Sequence, residues 1–192
     1  AGRQAFIVYP LVEESDRVQL RAATTEFERL AREHFSTERL ALIHGQMSWN
    51  DKERTMASFA RGEFDILVAT TVIEVGIDVP NATVMLIEHA ERFGLAQLHQ
   101  LRGRVGRGTA PATCYLVTEP HIAARVRSTP SDDEPPAATR LRTMEQTTDG
   151  FLIAEADMRL RGPGDVLGTR QAGMPEFRYT DLVRDSDTIA RA

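Results

Sequence analysis

The sequence predicts an α/β fold: a parallel sheet with flanking helices, followed by a helical hairpin and a long loop. Two observations carry this. Five short apolar runs recur along the first two thirds of the 192 residues, separated mostly by segments of helical period. The third run is apolar throughout its second half, the pattern of a strand buried on both faces of a parallel sheet.

Residues 4–10 read as a strand ended by Pro10. Residues 18–35 show helical spacing at Leu20, Phe27, Leu30 and Ala31. Residues 39–44 form a second strand. Ser48 or Asn50 then caps a helix with Asp51 and Glu53 in its first turn and Met56 and Phe59 on its inner side. Residues 64–69, 83–88 and 112–118 supply strands three to five, and a short helix starts near Gly94. Doubly wound sheets bind ligands beyond the carboxyl ends of their strands, and the two richest segments, 70–80 and 100–107, fall there.

After Arg127 the composition changes. Residues 128–136 are polar, acidic and proline-rich, which predicts a linker or mobile loop. Residues 137–147 and 151–160 read as two helices. Thr148-Asp149-Gly150 is too short to part them, so they form an antiparallel hairpin. Residues 161–176 hold four glycines and two prolines and are expected to be a long irregular loop. The predicted division is a lobe over 1–127, a linker over 128–136, the hairpin and its loop over 137–177, and a truncated tail over 178–192.

A net charge of −5 excludes a wholly basic nucleic-acid coat but leaves room for a local basic track. No apolar stretch reaches 18 residues, so no membrane helix is expected. The single cysteine, Cys114, excludes an internal disulfide framework and sits in an apolar run, which favours a buried small hydrophobe over a nucleophile. The five histidines show no metal-ligand spacing, so no zinc site is expected. Neither terminus carries a start or stop signal, which fits a piece of a longer protein.

The run Gln100-Leu101-Arg102-Gly103-Arg104-Val105-Gly106-Arg107 is the most informative. On a helix, Gln100, Arg104 and Arg107 would share one face, with Gly103 and Gly106 removing bulk between them. Each glycine costs a helix interior about 0.8–1 kcal/mol relative to alanine. Two guanidiniums aimed one way suit phosphate, whose oxygens match their planar fork. A solvated basic helix end is the alternative. Upstream, Thr70 and Thr71 end the third strand with hydroxyls suited either to a phosphate or to a plain N-cap. Gly76 allows close backbone approach. Asp78, before Val79-Pro80, reads either as an acceptor for ribose hydroxyls or as a turn residue.

Together, Thr70-Thr71 through Gly76-Ile77-Asp78-Val79-Pro80, followed by Gln100-x-x-Gly-Arg-x-Gly-Arg107, resemble motifs V and VI of superfamily 2 helicases and translocases. His44-Gly45-Gln46-Met47 resembles the motif lying between IV and V. The resemblance covers a second RecA-like lobe over about residues 1–120. It implies use of ATP with Mg²⁺, held mainly by a first RecA-like lobe, since no Walker A or Walker B sequence occurs here. It implies that Arg104 and Arg107 act as arginine fingers on the γ-phosphate. Gln100 would hold those arginines or the attacking water, and Gly76 and Asp78 would meet the nucleotide sugar. Thr70 and Thr71 would face the DNA backbone, with His44, Gly45 and Gln46 on the DNA-coupling side.

Thr148-Asp149-Gly150-Phe151, with residues 157–173 from Asp157-Met158-Arg159-Leu160-Arg161 to Gly168-Thr169-Arg170-Gln171-Ala172-Gly173, is similar to the translocation motif shared by the RecG and Mfd families. Mfd-like chains tend to be acidic where Thr169 and Arg170 stand, so the RecG family is favoured. That resemblance implies a motor that remodels branched DNA (stalled forks and Holliday junctions) in the bacterial cytoplasm, away from membranes. A first lobe and a wedge domain would be intramolecular partners, and Arg161, Arg170 and Gln171 would couple nucleotide state to movement. The alternatives are an Mfd-type lobe working on stalled RNA polymerase, and a degenerate lobe that only binds nucleic acid.

Overall fold

In the computed structural model, the structure describes residues 2–10, 16–70, 77–131 and 133–161. Five parallel strands form one sheet: β1 (Gln4–Val8), β2 (Leu40–Ile43), β3 (Ile66–Ala69), β4 (Ala82–Ile87) and β5 (Thr113–Leu116), in the spatial order β2-β3-β1-β4-β5. The helices are α1 (Asp16–Arg29), α2 (Trp49–Ala60), α3 (Leu95–Arg102), α4 (Pro120–Arg127), α5 (Pro136–Gln146) and α6 (Gly150–Arg161). The predicted α/β class and all five strands are present, each within a few residues of its expected bounds.

The two-residue period of a strand sorts the core onto the two faces of the sheet. Ile7, Ile66 and Val68 point to one face, where Leu30 and Phe27 meet them. Phe6, Val8, Leu67, Ala69, Met85 and Ile87 point to the other and pack with α2, α3, α5 and α6. β3 is buried at every position, as its apolar composition requires. Phe6 meets Phe59 edge-on, with ring centroids 5.0 Å apart. Gln4 is buried because its amide is satisfied: Nε2 donates to the carbonyls of Phe59 (2.6 Å) and Phe64 (2.8 Å).

Ser48 is the N-cap of α2, its hydroxyl accepting from the Asp51 N–H at 3.1 Å. The helix predicted over 18–35 runs as α1 to Arg29 and then widens into a π-helical turn, Leu30–His34, closed by Phe35 N–H to the Leu30 carbonyl at 2.8 Å. One helix went unpredicted. Pro120 opens α4 at a position where its missing N–H costs nothing, and Arg125 and Arg127 lie in its last turn.

The segment 128–136, expected as a linker or mobile loop, connects α4 to α5, and its described residues are tied down. Glu134 forms an ion pair with Arg142 of α5, and both side chains are under a tenth exposed. Arg142 also donates to the carbonyls of Arg125 (2.6 Å), Val126 (3.1 Å) and Ser128 (3.0 Å). One guanidinium thereby satisfies the open carbonyls at the end of α4 and fixes the start of α5. Ala138, Leu141, Met144 and Ile153 of the hairpin share the core of the sheet's second face. Among the described residues no helix is long and apolar enough to cross a membrane.

Candidate nucleotide and nucleic-acid interface

The carboxyl ends of β2 and β3 lie side by side, since the Thr70 N–H donates to the Ile43 carbonyl at 3.1 Å and extends the ladder. His44, Gly45 and Gln46 follow β2 directly, so they share this edge with Thr70. Thr70 is buried, whereas Gly45 and Gln46 are exposed. The Gly45 carbonyl accepts from Lys52 Nζ at 3.1 Å. Burial holds the His44 pKa below its ordinary value and the nearby Lys52 cation lowers it further, so the ring is neutral at pH 7. Its Nδ1 is buried without a hydrogen-bond partner among the described residues. Thr71 and Gly76 lie outside the described residues, as do Arg170 and Gln171.

The arginine segment is not the continuous helix expected, and Gln100, Arg104 and Arg107 do not share a helix face. Leu95, Leu98 and Leu101 bury one side of α3, but the helix ends at Arg102. Gly103 closes the last turn, the Arg104 N–H reaches only the Leu101 carbonyl (2.9 Å), and Gly106 is left-handed at φ +78. A left-handed backbone suits glycine and stops a helix. The two glycines therefore turn the chain rather than thin it. Gln100 stays on α3 and exposed, while Arg104 and Arg107 project from the following loop.

This loop docks on the end of the other motif. Arg107 forms an ion pair with Asp78, and its Nε donates to the Gly103 carbonyl at 2.9 Å. Gly108 lies so close to the turn that a Cβ there would be 2.6 Å from the Pro80 carbonyl oxygen. Val79 and Leu101, buried at 2% and 1% exposure, anchor the two segments in one core. The Arg107–Asp78 pair itself remains open to water, with side chains 42% and 56% exposed. Arg104 is half-buried and makes no ion pair with another described residue.

Arg102, to which sequence reasoning gave no role, ties the arginine segment to the hairpin. Its Nη1 donates to the carbonyls of Met144 and Thr147, both at 2.8 Å, capping the end of α5. One turn earlier, His99 lies against Gly150, where a Cβ would be 3.4 Å from its Nε2. Arg102 stands inside the octet, but the two carbonyls it caps lie more than forty residues away in sequence. Arg161, expected at the hairpin exit, ends α6 and pairs with Asp157 at 2.9 Å. Cys114 is half-buried beside an open groove of about 890 Å³, and burial raises its pKa to about 11, so it stays a thiol at pH 7.

Residues 1–109 match the family model described as helicase conserved C-terminal domain. Residues 147–192 match the model described as ATP-dependent DNA helicase RecG, domain 3, C-terminal. The chain belongs to the helicase conserved C-terminal domain family. It is 48% identical over 191 residues to the ATP-dependent DNA helicase RecG of Synechocystis, covering 100% of this chain and 22% of that relative. It is 52% identical over 184 residues to the RecG of Thermotoga maritima, covering 96% of this chain and 22% of that one. A solved structure of RecG bound to a three-way DNA junction superposes with a TM-score of 0.67 at 48% identity, covering 98% of this chain and 22% of that one. The chain thus spans about a fifth of the length of these RecG relatives.

Proposed function

We propose that this chain is the second motor lobe of an ATP-dependent DNA helicase that remodels branched DNA, stalled forks and Holliday junctions included. One observation carries the reading: Arg104 and Arg107 stand on a loop anchored at both ends, with Arg104 forming no ion pair with another described residue and Arg107 held by an exposed carboxylate and the Gly103 carbonyl. An exposed ion pair is worth about 0–1 kcal/mol. A phosphate offering bidentate acceptors in a closed, water-poor cleft outcompetes it. Asp78 thus stores Arg107 at the surface until the γ-phosphate of ATP arrives, and is then free for the sugar hydroxyls together with Gly76.

In this reading the triphosphate cradle lies on a first RecA-like lobe of the longer protein. Mg²⁺, arriving with the triphosphate, takes its ligands mainly from that other lobe. Gln100 orients the arginines or the attacking water. Thr70, His44, Gly45 and Gln46 face the DNA backbone from the ends of β2 and β3, and Thr71 takes the same role. The hairpin, with Arg161 and, further along the sequence, Arg170 and Gln171, passes cleft closure on to duplex DNA held against a wedge domain. Arg102 supports that coupling, because it joins the residue before the arginine loop to the hairpin turn. A motor of this kind works beside the chromosome, in the bacterial cytoplasm.

The test is Arg107→Ala in the longer protein. DNA-stimulated ATP turnover should fall by about 10³–10⁵, the contribution of an arginine finger, while junction binding in a gel-shift assay stays within a few-fold. Near-normal turnover would remove the finger assignment.

A further inference from the structure

Two carboxylates and an imidazole converge at the end of α3 opposite the arginine loop. His89, Glu91 and Glu119 each present one ligand atom, and these atoms lie within 4.8 Å of one another. The pairing of β4 with β5 brings them together: Ile87 stands opposite Leu116, and the Ala90 N–H donates to the Val117 carbonyl at 2.8 Å. Glu91 is largely withdrawn from water, with its side chain 13% exposed. Its Oε2 accepts from the Thr118 hydroxyl at 2.6 Å, which leaves Oε1 facing His89 Nδ1 at 3.3 Å.

Two carboxylates this close repel, the more so with one of them partly desolvated. Among the described residues no lysine or arginine forms an ion pair with either. The Arg140 guanidinium donates instead to the Glu91 backbone carbonyl at 2.8 Å. Glu119 Oε2 lies 3.1 Å from His121 Nδ1. The cluster therefore presents two carboxylates, an imidazole nitrogen and a hydroxyl already orienting one carboxylate from behind. That last contact is how an outer-shell group fixes a ligand oxygen.

We propose that His89, Glu91 and Glu119 form a binding site for a divalent transition-metal ion of the zinc class. A mixed set of one imidazole and two carboxylates suits such an ion better than Mg²⁺, which favours oxygen ligands throughout. Three protein ligands leave positions open to water. The bound ion joins the 3-10 turn Ala90–Arg92, which leads into α3, to the loop that starts α4. It offsets the carboxylate repulsion and stiffens the entry to the helix that ends at the arginine loop.

Calorimetric titration of chelator-stripped protein with Zn²⁺, with Mg²⁺ as the control, tests this alongside thermal unfolding. The variants are His89→Asn and Glu119→Gln. His89 is left-handed at φ 49, a conformation asparagine tolerates, so the first variant keeps the backbone. Zn²⁺ should bind one per chain and raise the melting temperature. Both variants should bind at least about tenfold more weakly and lose the thermal shift. No Zn²⁺ binding, unchanged binding in either variant, or tighter binding of Mg²⁺ overturns the proposal.

Discussion

Arg107 and Gly108 show how single residues register two distant segments. Arg107 reaches Asp78 across 29 positions of sequence, and Gly108 lets the following backbone lie against Pro80. The glycine contact is the stricter of the two, because the atom it meets is backbone and cannot swing aside. Gly108→Ala should force the loop off the turn and destabilise the fold by about 1–3 kcal/mol, the usual cost of overpacking. Urea denaturation reads this directly, and an unchanged midpoint would mean that the loop accommodates the methyl. The sequence marked Gly103 and Gly106 as places where bulk is removed. Their part in ending α3 depends on φ and ψ, which composition does not specify.

At the scale of elements, the coupling runs from α3 into the hairpin through Arg102. The end of α5 would leave the carbonyls of Met144 and Thr147 without these donors if that side chain were cut back. Arg102→Ala should cost about 1.5–3 kcal/mol for the lost charged hydrogen bonds. It should also speed amide exchange in the last turn of α5 and across 147–149, measured by hydrogen–deuterium exchange with mass spectrometry. Exchange unchanged there would show that apolar packing alone seats the hairpin. Strands were legible in the sequence because each is a short apolar run between polar turns. α4 escaped notice because it is short and leaves only Ile122 buried, so it carries little hydrophobic periodicity.

For the whole molecule, acid should act through carboxylates that anchor one segment to another. Arg39 holds Asp65 between the starts of β2 and β3, and hydrogen bonds from its side chain and backbone N–H lower the Asp65 pKa to about 2 from 3.8. Arg142 similarly holds Glu134 below its ordinary 4.5. A carboxylate whose folded pKa is depressed stabilises the fold fully above its unfolded pKa and loses that contribution as pH falls through the folded value. Stability should therefore be level near neutrality with respect to these groups, decline below about pH 4.5 through Glu134, and decline further between 3.8 and about 2 through Asp65. Asp65→Asn should flatten the lower part of that decline in thermal melts taken across the range. An identical profile in the variant would move the acid response elsewhere.

The sequence alone determined the parallel sheet, the inner faces of its helices, and the motifs that identify the helicase family. Those features rest on local periodicity and on residue types at fixed spacings, which survive without coordinates. Tertiary structure alone decided where the arginines point, that Asp78 holds one of them, that Arg142 pins the acidic segment, and that His89 and Glu91 meet Glu119. Each of these depends on how separate elements pack against one another. Such contacts exist only once strand pairing and helix packing have fixed the distances between them.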